Sequence, residues 1–201
     1  GVDLGNLKNQ IGIIREPKAV IIDTEFLSTL SQREMRSGLA EMLKHGLIFD
    51  KKYWDKFKNL KDLNTEDLNE LIHQSIQIKN TIVCEDLSEN GIRKALNFGH
   101  TLGHGIESYF LENENKNSLL HGEAIAAGMI LESYISKEKG WLTNEEYHEI
   151  KYIINDIFER IEFNENDINQ IIELLIYDKK NEFGKVQFAL LDGIGKIKIN
   201  Q

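Results

Sequence analysis

The sequence predicts a mainly α fold, with one strand near its start and a β-hairpin at its end. Three observations carry this. Beyond residue 30, apolar residues recur at helical spacing. Helix-capping residues punctuate that stretch. The tail then switches to a different period around Asp192-Gly193-Ile194-Gly195.

Residues 1–17 read as irregular, with Gly1, Gly5, Gly12 and the chain's single proline, Pro17. Ala19-Val20-Ile21-Ile22-Asp23 is a short apolar run and predicts a buried strand, whose pairing partners must lie elsewhere. Ser31 can cap a helix reaching about Leu47, with Glu34 three residues on as its capping-box partner. Thr65 can cap the next, to about Glu85, with Leu68, Leu71, Ile72, Ser75 and Ile78 on its inner face. A loop at Asp86–Gly91 precedes a helix around 95–111, and a polar run from Glu112 to Asn117 is a surface loop. Helices follow near 121–139, 143–160 and 166–177. Finally, residues 186–191 and 196–199 flank the glycine-containing turn as a hairpin.

Composition narrows the function. The chain has 201 residues and is 41% hydrophobic, enough for a substantial core. Its net charge of −9 argues against nucleic acid or an anionic membrane as the main partner. No apolar run is long enough to span a bilayer. The lone Cys84 excludes an internal disulfide and suits a reducing cytoplasm. The opening Gly1-Val2-Asp3-Leu4-Gly5 lacks an initiator methionine and reads like the middle of a longer protein.

The chemistry concentrates in Leu96-Asn97-Phe98-Gly99-His100-Thr101-Leu102-Gly103-His104 and Leu120-His121-Gly122-Glu123. Three of the six histidines fall here. On a helix, His100 and His104 project from one face. A catalytic metal site commonly takes three protein ligands, and histidine with carboxylate suits a Lewis acid acting on oxygen. By spacing alone, such a pair is more often an ordinary core or capped pair. Gly99, Gly103 and Gly122 shift the balance, because glycine in a helix costs up to about 1 kcal/mol relative to alanine and three beside histidines imply a close approach. A further ligand could come from Gly38–Gly46, where Glu41 and Lys44 share a face; alone, these read as an ordinary ion pair. His45 reads as structural, and His73 and His148 as solvent-exposed. Lys8-Asn9, Lys79, Arg93 and Lys179-Lys180 are each unremarkable alone, and together could bind an anionic substrate. Glu107 and Glu123 lie near the histidines; either could orient an imidazole, and Glu123 suits local capping.

These motifs resemble the 3-dehydroquinate synthase family, specifically its C-terminal, metal- and substrate-binding part. The matching segments are KNQIG (8–12), PKAVIIDTEFL (17–27), GLAEMLKHG (38–46), IKNTIVCEDLSENGIRKALNFGHTLGHGIE (78–107), LHGEAIAAGM (120–129) and DKKNEFGKVQFALLDGIG (178–195). The opening loop and Leu87 depart from the family's usual pattern. The resemblance implies a dehydroquinate synthase-like helical domain in 31–201, with 1–30 a remnant of an NAD-binding domain and linker. It implies Glu41, His100 and His121 as Zn2+ ligands, Co2+ being possible, and His104 as a catalytic residue that binds substrate and not metal. Lys44, Lys79, Arg93 and Asn97 correspond to catalytic substrate contacts. Asn9, Glu89, Lys179 and Lys180 correspond to further substrate-binding positions. Lys8, Phe26, Leu27, Ser28 and Thr29 match segments that touch NAD.

The implied reaction converts 3-deoxy-D-arabino-heptulosonate 7-phosphate to 3-dehydroquinate and phosphate, in the shikimate pathway of aromatic amino acid biosynthesis. It proceeds by transient NAD oxidation, phosphate elimination, reduction and aldol closure. The family also implies a homodimer in the cytoplasm. No G-x-G-x-x-G loop follows a strand here. The 201 residues alone are therefore expected to lose most NAD binding and to be inactive. The alternatives are another sugar-phosphate cyclase, such as a 2-deoxy-scyllo-inosose synthase, and a metal-dependent polyol dehydrogenase. A non-catalytic metal-binding module is the remaining reading.

Overall fold

The computed structural model describes residues 2–4, 7–13, 17–62, 65–176 and 186–201. The chain divides into two compact units, Gly1–Leu30 and Ser31–Gln201.

In the first unit, β1 (Val2–Leu4) pairs antiparallel with β2 (Leu7–Ile11), Val2 opposite Ile11 and Leu4 opposite Leu7. The segment read as irregular thus holds the unit's strands. Residues 19–23, expected as a buried strand, are not one. Val20, Ile21 and Ile22 are 72%, 92% and 53% exposed. A strand is stabilised by ladder hydrogen bonds and by burial of its faces, and no described strand pairs with this run. A 3-10 turn, Thr24–Thr29, follows, capped by the Asp23 carboxylate, which accepts from the Glu25 N–H at 2.9 Å.

The second unit is helical. Its elements are α1 (Gln32–Phe49), α2 (Lys51–Asp55), α3 (Thr65–Glu85), α4 (His100–Glu112), α5 (His121–Glu138), α6 (Asn144–Ile157) and α7 (Glu165–Ile176). The capping box is formed as read: the Ser31 hydroxyl accepts from the Glu34 N–H, and Glu34 accepts from the Ser31 N–H. Thr143 and Glu146 repeat the device at α6. Two local differences stand out. The helix expected around 95–111 is broken into a 3-10 turn, Ile92–Asn97, and α4, because Gly99 adopts a left-handed φ of +76° that no α-helix accommodates. The single-turn α2 was not anticipated; Asp50 caps it by accepting from the Lys52 N–H at 2.8 Å, and it buries Tyr53 and Trp54.

Helix α5 is the hub, packing on α1, α4, α6 and the C-terminal hairpin. The main core includes Leu43, Leu47, Trp54, Ile82, Phe98, Ile125, Met129 and Ile150. A second cluster, built on Ile106, Tyr109, Phe110, Ala124 and Ile171, fills the junction of α4 with α7. The hairpin forms as expected, with β3 (Leu190–Leu191) antiparallel to β4 (Ile197–Lys198). Reciprocal bonds between Phe188 and Gln201 extend it, and the Gly195 N–H donates to the Leu47 carbonyl at 2.7 Å. No described helix is long and apolar enough to cross a membrane.

Candidate active site

Three helices of the second unit supply the site. Helix α1 presents Glu41 and Lys44 one turn apart. Lys44 is only 2% exposed, and its Nζ lies 2.7 Å from Glu41 Oε2. The other carboxylate oxygen, Glu41 Oε1, is buried without a hydrogen bond and sits 3.4 Å from His100 Nε2. Burial works against the charge on Glu41, but His100 and Lys44 overcome it and hold the carboxyl well below the usual carboxylate range.

Helix α4 begins at His100, immediately after the left-handed Gly99, and carries His104 on the next turn. Helix α5 begins at His121. The ring centroids are 5.2 Å apart for His100–His104, 5.4 Å for His100–His121 and 5.8 Å for His104–His121. One ligand nitrogen from each of the three lies within 4.8 Å of the others. The histidines separated in sequence thus share one spot, with Glu41 joined to it through His100.

Backbone contacts explain the glycines. A methyl at Gly122 would overlap the Ser37 carbonyl oxygen on α1, and one at Gly103 would press on Ile125. A methyl at Gly128 would overlap the Gly99 carbonyl oxygen. The close approach inferred from the glycines is of helix to helix.

Hydrogen bonds aim the imidazoles. His100 Nδ1 lies 3.1 Å from the Phe98 carbonyl, which can only accept, so Nδ1 carries the proton and Nε2 faces Glu41. With Nδ1 so bonded, Nε2 faces a carboxylate oxygen across a gap that a second ring proton or a divalent cation could serve. Burial pushes the His100 imidazole below its ordinary value, and Glu41 works the other way. The donor set, imidazole nitrogens with one carboxylate oxygen, fits Zn2+ or a similar divalent ion. His121 Nδ1 lies 3.1 Å from Glu107 Oε2, the carboxylate–histidine arrangement that orients a metal-binding imidazole.

The cationic and amide residues are distributed more widely. Arg93 lies on the 3-10 turn before α4, its Nη1 donating to the Leu87 carbonyl at 3.0 Å. Asn97 donates to Glu89 Oε1 at 3.2 Å, and Glu89 holds a left-handed φ of 58°. Asp86 organises this loop by accepting from the backbone N–H groups of Asn90, Gly91 and Arg93. Lys79 is exposed on α3. Lys8 and Asn9 lie on β2, and Phe26, Leu27, Ser28 and Thr29 on the 3-10 turn, all in the first unit. Lys179 and Lys180 lie outside the described residues.

His45 is structural, as its sequence context indicated: it is 3% exposed and its Nδ1 lies 2.7 Å from the Ser75 hydroxyl. Glu123 caps α5 through the Leu120 N–H and also binds Arg33 at 2.6 and 2.7 Å. Sequence reasoning missed Arg33, Ser37, whose hydroxyl accepts from the Gly122 N–H at 2.9 Å, and Glu132. The signal for Glu132 was present, as a lone carboxylate in the otherwise apolar run 124–133.

The fold and site define a helical domain that gathers three histidines and a carboxylate from three separate helices. Residues 38–181 match the family model described as 3-dehydroquinate synthase C-terminal, and residues 1–37 the one described as 3-dehydroquinate synthase N-terminal. The chain belongs to the 3-dehydroquinate synthase family. A curated 3-dehydroquinate synthase from Parabacteroides distasonis is 40% identical over 203 residues, spanning 100% of this chain and 57% of that protein. One from Alkaliphilus metalliredigens is 37% identical over 202 residues, spanning 98% and 56%. The chain therefore spans a little over half the length of these relatives. Among solved structures, 2-deoxy-scyllo-inosose synthase complexed with carbaglucose-6-phosphate, NAD+ and Co2+ superposes with a TM-score of 0.78 at 27% identity, covering 98% of this chain and 55% of that one. The 2-epi-5-epi-valiolone synthase from Streptomyces hygroscopicus, with NAD+ and Zn2+ bound, has a TM-score of 0.78 at 24% identity, covering 100% and 56%, and shares the fold.

Proposed function

We propose that this chain is the metal- and substrate-binding part of a 3-dehydroquinate synthase, which forms 3-dehydroquinate and phosphate from 3-deoxy-D-arabino-heptulosonate 7-phosphate. The observation that carries the reading is the buried, unbonded Glu41 Oε1 facing His100 Nε2 beside two more imidazoles. In this reading Glu41, His100 and His121 hold Zn2+ or Co2+, and His104 serves the substrate. When bound, the metal supplies a Lewis acid toward a substrate hydroxyl, and NAD+ a hydride acceptor that is restored within each turnover.

The chain's own residues supply the rest. Lys44, held against Glu41, offers a buried positive charge to an anionic substrate. Arg93 and Lys79 add charge, and Asn97 a directional donor, favouring one bound conformer. His104, one turn from His100, can take or return a proton at a substrate hydroxyl through a neutral imidazole. Lys179, Lys180, Asn9 and Glu89 complete the substrate set, and Lys8 with Phe26–Thr29 the NAD contacts. The enzyme is a carbon–oxygen lyase acting on phosphate, cytoplasmic and homodimeric. The 201-residue chain by itself turns over little or no substrate.

The structural likeness to 2-deoxy-scyllo-inosose synthase supports a second reading, another sugar-phosphate cyclase. Phosphate release by the product of the complete reading frame separates the two. Release from the heptulosonate phosphate, and not from glucose 6-phosphate, supports the first reading; the reverse overturns it. Net NADH accumulation with glycerol would instead indicate a polyol dehydrogenase.

A further inference from the structure

We infer that Glu132 is a positioning residue that sets the geometry of the metal ligands from outside their shell. This rests on the metal reading above. Glu132 is fully buried in α5. Its Oε2 accepts from the Gly99 N–H at 2.7 Å, and its Oε1 accepts from the Leu102 N–H at 3.0 Å. These two bonds bracket His100, the first residue of α4. Gly99, the residue preceding α4, has no side chain with which to cap it, so the capping of α4 comes from another helix. A carboxylate at a helix N-terminus is favoured by the orphan N–H groups and the dipole there.

The placement does more than cap. Helix α5 begins with His121 and reaches Glu132 eleven residues later, about 16 Å along the axis. The helix that presents one imidazole therefore grips the first turn of the helix that presents the other two. The grip lies beside a close backbone contact, since Gly128, one turn before Glu132, leaves no room for a methyl against the Gly99 carbonyl. The next turn of α5 is also pinned: the Ser136 hydroxyl donates to the Glu132 carbonyl and accepts from the Leu191 N–H. Sliding or rotating α4 against α5 would break the carboxylate's bonds before His100 and His121 could separate.

A fold-stabilising cap alone would affect stability and leave the metal geometry unchanged, so the two roles separate experimentally. Zn2+ affinity by chelator competition and the visible bands of bound Co2+ are measured on the 201-residue chain. Glu132→Gln keeps one acceptor and is expected to weaken Zn2+ binding about 10- to 100-fold, the range seen when outer partners of metal ligands are lost, and to shift the Co2+ bands. Ile154→Ala truncates a buried core residue on α6, which carries no site residue, and is expected to lower stability while leaving both readouts unchanged. Glu132→Gln with wild-type affinity and bands overturns the inference, as does an equal effect from Ile154→Ala. Should Glu132→Gln not fold, hydrogen exchange in the wild-type chain decides: Zn2+ is expected to slow exchange of the Gly99 and Leu102 amides, and unchanged exchange overturns the inference. A wild-type chain that binds neither ion overturns the metal reading itself, and this inference with it.

Discussion

His45 makes the stability of the metal-free protein depend on mildly acidic pH. Burial, with the Lys44 ammonium beside it, pushes the imidazole from its ordinary 6.5 down to about 4. The unfolded chain therefore binds the proton more readily than the folded one between those values. A depressed folded-state value means the contribution is fully present above pH 6.5 and is lost as pH falls toward 4. With one pKa unit worth 1.36 kcal/mol, the loss is about 2 kcal/mol between pH 7 and pH 5 and about 3 kcal/mol by pH 4. The assay is urea unfolding from pH 7 to pH 4 in the presence of a chelator, for wild type and His45→Asn. The substitution changes absolute stability through lost packing, so the slopes are compared. The variant is expected to lose about 2 kcal/mol less than wild type between pH 7 and pH 5. Equal slopes would refute a buried neutral imidazole at this position.

Two further outcomes follow from the site's surroundings. Glu107→Ala removes the carboxylate 3.1 Å from His121 Nδ1; Zn2+ affinity by chelator competition is expected to fall about 10- to 100-fold, with far-UV circular dichroism unchanged. Gly122→Ala places a methyl onto the Ser37 carbonyl oxygen; the unfolding free energy is expected to drop by about 1–3 kcal/mol, and Zn2+ binding to weaken because His121 is the adjacent residue.

Legibility in the sequence followed the physical range of each signal. Ser31 with Glu34, and the glycines of the C-terminal turn, act through neighbours a few residues away, and those elements formed where they were read. Gly99 is also a local signal, but the apolar spacing runs through it and predicts a helix interior; only its left-handed φ reveals the break. The run 19–23 has strand composition, and composition cannot say whether a partner strand lies beside it. At the site, the i,i+4 relation of His100 and His104 was visible directly. Spacing alone does not bring Glu41 and His121 to them, since that depends on how three helices cross; only the family resemblance grouped them. The role of Glu132 was hidden for the same reason: its partners lie 33 and 30 residues away.

The glycine contacts between α4 and α5 also bear on how this domain can drift under mutation. Most helix pairs touch through side chains, so a core substitution can be absorbed by a small change in spacing. Here part of the joint is main chain against main chain, with no side chain to trim or enlarge. Substitutions elsewhere in the core can soften the domain without changing the distance between its histidines, while the joint itself tolerates almost nothing. The part of the protein that fixes the imidazoles is thus set apart from the part free to vary.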